Sequence, residues 1–176
     1  IYNGYSSPAI VNCTISANGR CAIPNISSAP TIINCTITGN RYYGIINEPY
    51  SSPTIINCTI TGNEYSGIGN NSASSPIITN CIIWKNAAYS IYNLDAESRP
   101  TVNSCVVQGG YAGGTNIITS DPLLGKLSDC GGYVKTIPVL DKSPAIGAGV
   151  ATAATPETDA RGVVRSATAP TIGAYE

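Results

Sequence analysis

The 176-residue chain contains no histidine and no methionine; only 11% of its residues are charged, and the net charge is -1. Without histidine the commonest general base is missing, and with it any Ser-His triad. Sparse, nearly balanced charge leaves no basic stripe to follow a phosphate backbone, so nucleic acid is not an expected partner. No apolar run reaches about 18 residues, so no membrane-spanning helix is expected. The chain shows no signal peptide and opens at Ile1 in mid-repeat, so it reads as a processed or excised part of a longer product. Its polarity comes from Ser, Thr and Asn, which suits a neutral, hydrated surface. The length fits one ordinary domain.

What is present is a repeat. SPTIINCTITGN from Ser52 to Asn63 recurs almost unchanged as APTIINCTITGN from Ala29 to Asn40. Drifting copies start at Ser7 (SPAIVNCTISAN), Ser75 (SPIITNCIIWKN) and Arg99 (RPTVNSCVVQGG). Their prolines, Pro8, Pro30, Pro53, Pro76 and Pro100, are spaced 22, 23, 23 and 24 residues apart. A unit this short cannot bury its own apolar face and must stack on its neighbours.

Aligned on proline, the repeats resolve into columns. Ile10, Ile32, Ile55, Ile78 and Val102 form one apolar column; Ile15, Ile37, Ile60, Ile83 and Val107 form another; Ile1, Ile23, Ile45, Ile68 and Ile91 form a third. Cys35-Thr36-Ile37-Thr38 alternates apolar and polar at period two, β-branched residues abound, and Gly, Asn, Ser and Pro interrupt every few residues. The expected fold is all-β: a right-handed parallel β-helix of about five rungs, with three short strands per rung. Stacked rungs lie about 4.8 Å apart, so identical residues in one column touch. Asn3, Asn25, Asn47, Asn70 and Asn93 make a structural ladder; Asn12, Asn34, Asn57 and Asn80 another; Asn18, Asn40, Asn63 and Asn86 a third. Asn at a repeated corner is expected to adopt the left-handed conformation and to bond the next rung through its amide.

Seven cysteines cannot all pair within the chain. Cys13, Cys35, Cys58, Cys81 and Cys105 share one repeat position and form a ladder of small, inward-facing apolar groups. Parallel Cβ vectors are poorly placed for disulfides, although the rung spacing lies inside the disulfide range. The spacing is no zinc signature, and no metal or cofactor is expected.

Residues 1–118 are read as the repeats and 119–176 as a capping region of the same domain, because an open last rung invites pairing with other chains. Asp121-Pro-Leu-Leu-Gly125, Gly131-Gly132, Ser143-Pro-Ala-Ile-Gly-Ala-Gly149, Asp159-Ala-Arg-Gly162 and Thr171-Ile-Gly-Ala-Tyr-Glu176 mark this tail. Their order resembles the C-terminal region of bacterial choice-of-anchor Q domain proteins, and the NCTITGN units resemble the repeats of polymorphic outer membrane proteins. Two departures are Gly147, where that family usually has Asp, and Cys130, where Asn is common. The resemblance implies a right-handed β-helix of the pectin-lyase-like superfamily, located outside the cell or on the bacterial cell surface, and it implies no catalytic residues.

Pectin-lyase-like folds include polysaccharide lyases and hydrolases, which need clustered carboxylates. Here the acidic residues are scattered. Asp95 and Glu97 share a loop with Arg99, read as a solvated loop with a surface ion pair, and Asp159 and Arg161 read as a structural pair. The expectation is a non-catalytic structural protein. A binding edge is offered by Tyr42, Tyr43, Tyr65 and Tyr89, since exposed aromatics serve both sugar stacking and protein interfaces. Thr36 and Thr38, with Thr59 and Thr61, resemble the Thr-x-Thr arrays of ice-binding solenoids, but the array ends after three rungs and is read as plain β-propensity on a solvent face. Asn12, Asn34 and Asn57 stand in NCT glycosylation sequons forced by the repeat, and Asn25 in NIS; none is expected to be modified. Ile1, Tyr2 and Asn3 form a bare strand edge suited to head-to-tail assembly into a filament, unless further rungs precede them. Expected partners are therefore further copies of the chain or other surface proteins, with glycans as the alternative.

Overall fold

The computed structural model describes all 176 residues. It has fifteen strands and no helix, wound into five rungs. The first rung comprises β1 (Asn3–Gly4), β2 (Ala9–Val11) and β3 (Thr14–Ser16), and the second β4 (Ile23–Ile26), β5 (Thr31–Ile33) and β6 (Thr36–Thr38). β7 (Ile45–Glu48), β8 (Thr54–Ile56) and β9 (Thr59–Thr61) form the third, β10 (Ile68–Asn70), β11 (Ile77–Thr79) and β12 (Ile82–Trp84) the fourth. The fifth holds β13 (Ile91–Asn93), β14 (Thr101–Asn103) and β15 (Val106–Val107). Strands at equivalent positions stack into three parallel five-stranded sheets: sheet A begins with β1, sheet B with β2 and sheet C with β3. The register is the repeat itself. Ile45 pairs with Ile23 and Ile68, Ile55 with Ile32 and Ile78, and Ile60 with Ile37 and Ile83. The product is the expected parallel β-helix.

The inward Ile and Val columns and the cysteine ladder fuse into one continuous core. Burying each such Ile contributes about 1.5–3 kcal/mol, which offsets the entropy of ordering otherwise short strands. Ile1 departs from its column: it lies outside β1 and is half exposed, and its amino group donates to the Ala22 carbonyl at 2.7 Å.

The asparagine columns divide two tasks expected of one residue. Asn12, Asn34, Asn57 and Asn80 adopt left-handed φ of 49–52°, bending the chain from sheet B into sheet C. The rung-to-rung amide ladders lie mainly in the other two columns. Each Nδ2 donates to the next Oδ1 from Asn3 through Asn25, Asn47 and Asn70 to Asn93, at 2.8–2.9 Å. Asn18, Asn40, Asn63 and Asn86 repeat the pattern at 2.7–2.9 Å. A fourth ladder, from the serine two positions before each proline, runs from the Ser6 amide through Ser28, Ser51 and Ser74 to Ser98, each backbone N–H donating to the next Oγ at 3.1 Å.

The tail is placed differently from expectation. The last rung is covered by a partial turn at 109–118. Thr115 and Ile118 bridge to Asn103 and Val106, Tyr111 and Ile117 pack on the core, and the Tyr111 hydroxyl accepts from Asn93 Nδ2 at 3.1 Å. From there the tail runs back along the outer face of sheet C. Val139, Ala145 and Ile172 pack on Ile82, Trp84 and Val106 in a second apolar cluster. The cause lies in the drift of the repeat: Ile82, Trp84 and Val106 point outward and need a cover. Thr36, Thr59 and Thr61 are buried as a result. The threonine array is thus neither a solvent face nor an ice-binding one. The left-handed asparagines are its docking points, with Asn34 donating to Thr158 O at 2.8 Å and Asn80 to Val150 O at 2.8 Å. Thr14 of the first rung bonds the Lys135 carbonyl.

Candidate functional site

With sheet C covered, the tyrosines lie beside the outer face of sheet A. One outward column is Tyr2, Pro24, Ile46, Gly69 and Tyr92, uncharged throughout, and the next, Gly4, Ile26 and Glu48, adds one carboxylate. The corner from sheet C into sheet A brings the tyrosines beside them. Tyr42 and Tyr65 occupy the same repeat position on adjacent rungs, and the Tyr65 N–H donates to the Tyr42 carbonyl at 3.2 Å. Their rings stack, with centroids 5.2 Å apart and planes at 21°. Tyr43 stands edge-on to both, at 5.6 and 5.0 Å.

Tyr43 was expected on an exposed edge and is buried instead, only 7% exposed. Gly69 explains this: a Cβ there would lie 2.5 Å from Tyr43 Cε1 and 2.7 Å from Ile46 Cδ1, so only glycine lets the ring lie on the sheet. Burial, then Tyr65, pushes the Tyr43 phenol up from its ordinary pKa. Tyr89 stacks with Tyr92 (4.6 Å, 11°) instead of joining the Tyr42 column. Tyr42 and Tyr89 are half exposed.

A groove of about 920 Å³ opens beside this cluster. Tyr42, Tyr43, Ile46 and Pro24 line it with Tyr2 and Ile1, while Arg20, Arg41, Glu48 and Glu64 add charge at its edges. The molecule's only ion pairs lie in the tail, so these four side chains keep their charge for solvent or a ligand. Of the presumed assembly edge, Ile1 and Tyr2 line the groove, whereas Asn3 is buried at the start of its ladder. Tyr92, Gly69 and the four charged side chains were not singled out from sequence. Column alignment offered the signal: Arg20 shares its repeat position with Tyr42 and Tyr65.

The other candidates are occupied structurally. Asp95 does not pair with Arg99; it accepts from the Ser98 N–H at 2.7 Å and from the Ser72 N–H. Slight desolvation opposes these bonds, yet they hold its carboxyl below the ordinary range. Asp159 pairs with Arg161 at 2.7 Å and accepts N–H bonds from Arg161, Val163 and Glu176. Burial acts to raise its pKa, but the Glu176 N–H and Arg161 overcome it and hold the carboxyl low. Arg161 lies 3.6 Å above the Tyr175 ring. Arg165 is buried, with its pKa pulled down by burial against the charge of Glu176, and it donates to Asn34 Oδ1 at 3.1 Å. Together these residues latch the tail onto the second rung.

Cys35, Cys58, Cys81 and Cys105 are fully buried free thiols, and Cys13 is half-buried. Cys35 and Cys81 donate to the carbonyls two residues back, Ile33 and Thr79, at 3.3 and 3.2 Å. The hydrogen bond to Cys58 and burial raise the Cys35 pKa; burial raises that of Cys81. Cys35 and Cys81 are thus held as core thiols.

Comparison with known proteins adds one finding. Residues 1–130 match the family described as right handed beta helix region. Neither curated proteins nor solved structures gave a match. Periodicity, register and family match agree, and the chain belongs to the right-handed β-helix family.

Proposed function

We propose that this β-helix is a non-catalytic protein of the cell exterior that holds carbohydrate on the tyrosine face of sheet A. The observation that carries the reading is the stacked Tyr42–Tyr65 column, with half-exposed Tyr42 opening onto a groove edged by unpaired Arg20, Arg41, Glu48 and Glu64. Flat aromatic faces take the apolar face of a sugar ring, while adjacent guanidinium and carboxylate groups supply donors and acceptors for its hydroxyls. Exterior location is supported by the tail's likeness to choice-of-anchor Q domain proteins and the repeats' likeness to polymorphic outer membrane proteins.

A glycan array tests the proposal directly. Binding is expected, and Tyr42→Ala with Tyr65→Ala should weaken it about tenfold or more, at about 1 kcal/mol per ring. A blank array, or binding indifferent to both substitutions, overturns the carbohydrate reading. Regular fibres of native material in electron microscopy, with a blank array, would favour a scaffold that acts by self-assembly. Turnover of a bound polysaccharide that disappears in Glu48→Gln or Glu64→Gln would overturn the non-catalytic assignment.

A further inference from the structure

We infer that Tyr42 and Tyr65 form an oxidative modification site at which the two rings become joined as an intramolecular dityrosine, a covalent tie between the second and third rungs. The inference uses only the geometry of the pair and is independent of carbohydrate binding.

Coupling two phenols requires that both radicals arise close together and hold a common orientation. The chain has 11 tyrosines, and most are unsuited to this. Tyr5, Tyr50 and Tyr133 are the most exposed, at 84%, 76% and 102%, yet none of them stacks on another ring. Tyr43 meets its neighbours edge-on and is buried, and Tyr89 stacks on Tyr92 at 4.6 Å but three residues away on the same rung, where coupling would tie no two rungs together. Tyr42 and Tyr65 lie nearly parallel, with ring centroids 5.2 Å apart, on corner backbones tied together by the Tyr65 N–H to Tyr42 carbonyl bond. Tyr42 is half exposed, which gives an oxidant access and leaves the ring room to swing about its Cα–Cβ bond towards Tyr65.

The oxidant is a peroxidase acting with hydrogen peroxide. Each phenol loses one electron and one proton, giving two tyrosyl radicals. These combine through one carbon ortho to each hydroxyl, and the two ring hydrogens at those carbons move to the phenol oxygens as aromaticity returns. In balance, one C–C bond forms, two C–H bonds break, and two electrons and two protons reduce one peroxide to two waters.

The test treats dilute protein with a peroxidase and hydrogen peroxide, isolates the monomer, and cleaves it after glutamate. Glu48 and Glu64 lie between the two tyrosines, so cleavage puts them on separate peptides that only a cross-link holds together. Dityrosine fluorescence in the monomer is expected, with the Tyr42 and Tyr65 peptides recovered joined and two hydrogens lighter. Tyr65→Phe keeps the ring packing and should abolish that peptide, whereas Tyr133→Phe should leave its yield unchanged. Coupling found mainly between molecules, or a joined pair of the same two peptides that persists in Tyr65→Phe, overturns the inference. Oxidised monomer without the Tyr42–Tyr65 peptide overturns it equally.

Discussion

At the scale of single residues, the molecule assigns three jobs to one amino acid. Asparagine turns the corner at Asn34, bonds rung to rung at Asn47, and at Asn40 uses its Oδ1 to receive the Asn18 amide from the neighbouring rung. Asn47 stands in the middle of a buried ladder, accepting from Asn25 and donating to Asn70. Asn47→Ala would leave a buried donor and a buried acceptor without partners, at about 1–3 kcal/mol each. Urea denaturation should therefore show a loss of at least about 2 kcal/mol. Asn18→Ala, at the exposed end of its ladder, should cost less than half of that. The columns were legible because position in the repeat dictates them. Which column takes the left-handed bend was not, since asparagine suits both bend and ladder, and only the path of the backbone separates the two.

At the scale of elements, the tail is the part that sequence described least well. Its composition marked where the repeats stop, but it has no period, and its docking depends on outward residues of another element. Thr-x-Thr reads alike on an open sheet and on a covered one. The drift to Ile82 and Trp84 was the available sign that this face would be covered. The latch at Asp159 gives a test in pH. Its folded carboxyl titrates below the ordinary value of 3.8, so its contribution is complete above that value and is lost as pH falls through the lower, folded one. Trp84, the only tryptophan, lies beneath the tail and reports release. Its emission should hold steady from neutrality down to about pH 4 and shift to the red only below pH 3.8. Asp159→Asn should show part of that shift already at neutral pH. A red shift in the native protein centred above pH 5 would show that another group controls the tail.

At the scale of the whole molecule, the stack of rungs is built from nearest-neighbour contacts and should behave additively. The tail breaks that rule. It reaches the first rung at Thr14, the second at Asn34, the third at Thr59 and the fourth at Asn80. Removing one repeat, residues 52–74, joins equivalent positions and preserves the strand pattern, so far-UV circular dichroism per residue should change little. The tail, however, loses its partners Asn57 and Thr59 and meets the remaining rungs out of step. Trp84 should then become accessible to acrylamide quenching, and thermal stability should fall by more than one rung's share. A variant that keeps Trp84 protected would show that the tail can slide.

Gly173 shows how closely the tail is fitted: a Cβ there would come within 2.8 Å of Ile82 Cδ1 and 2.9 Å of Thr59 Oγ1, and its φ is 107°. A strap fitted at this tolerance to four successive rungs works as a gauge. Tandem repeats readily gain and lose copies by duplication and slippage in their genes, and an open solenoid absorbs such changes as mere length. Here a copy gained or lost between Thr14 and Asn80 would misalign every contact beyond it, so the tail acts as a gauge of the rungs it spans.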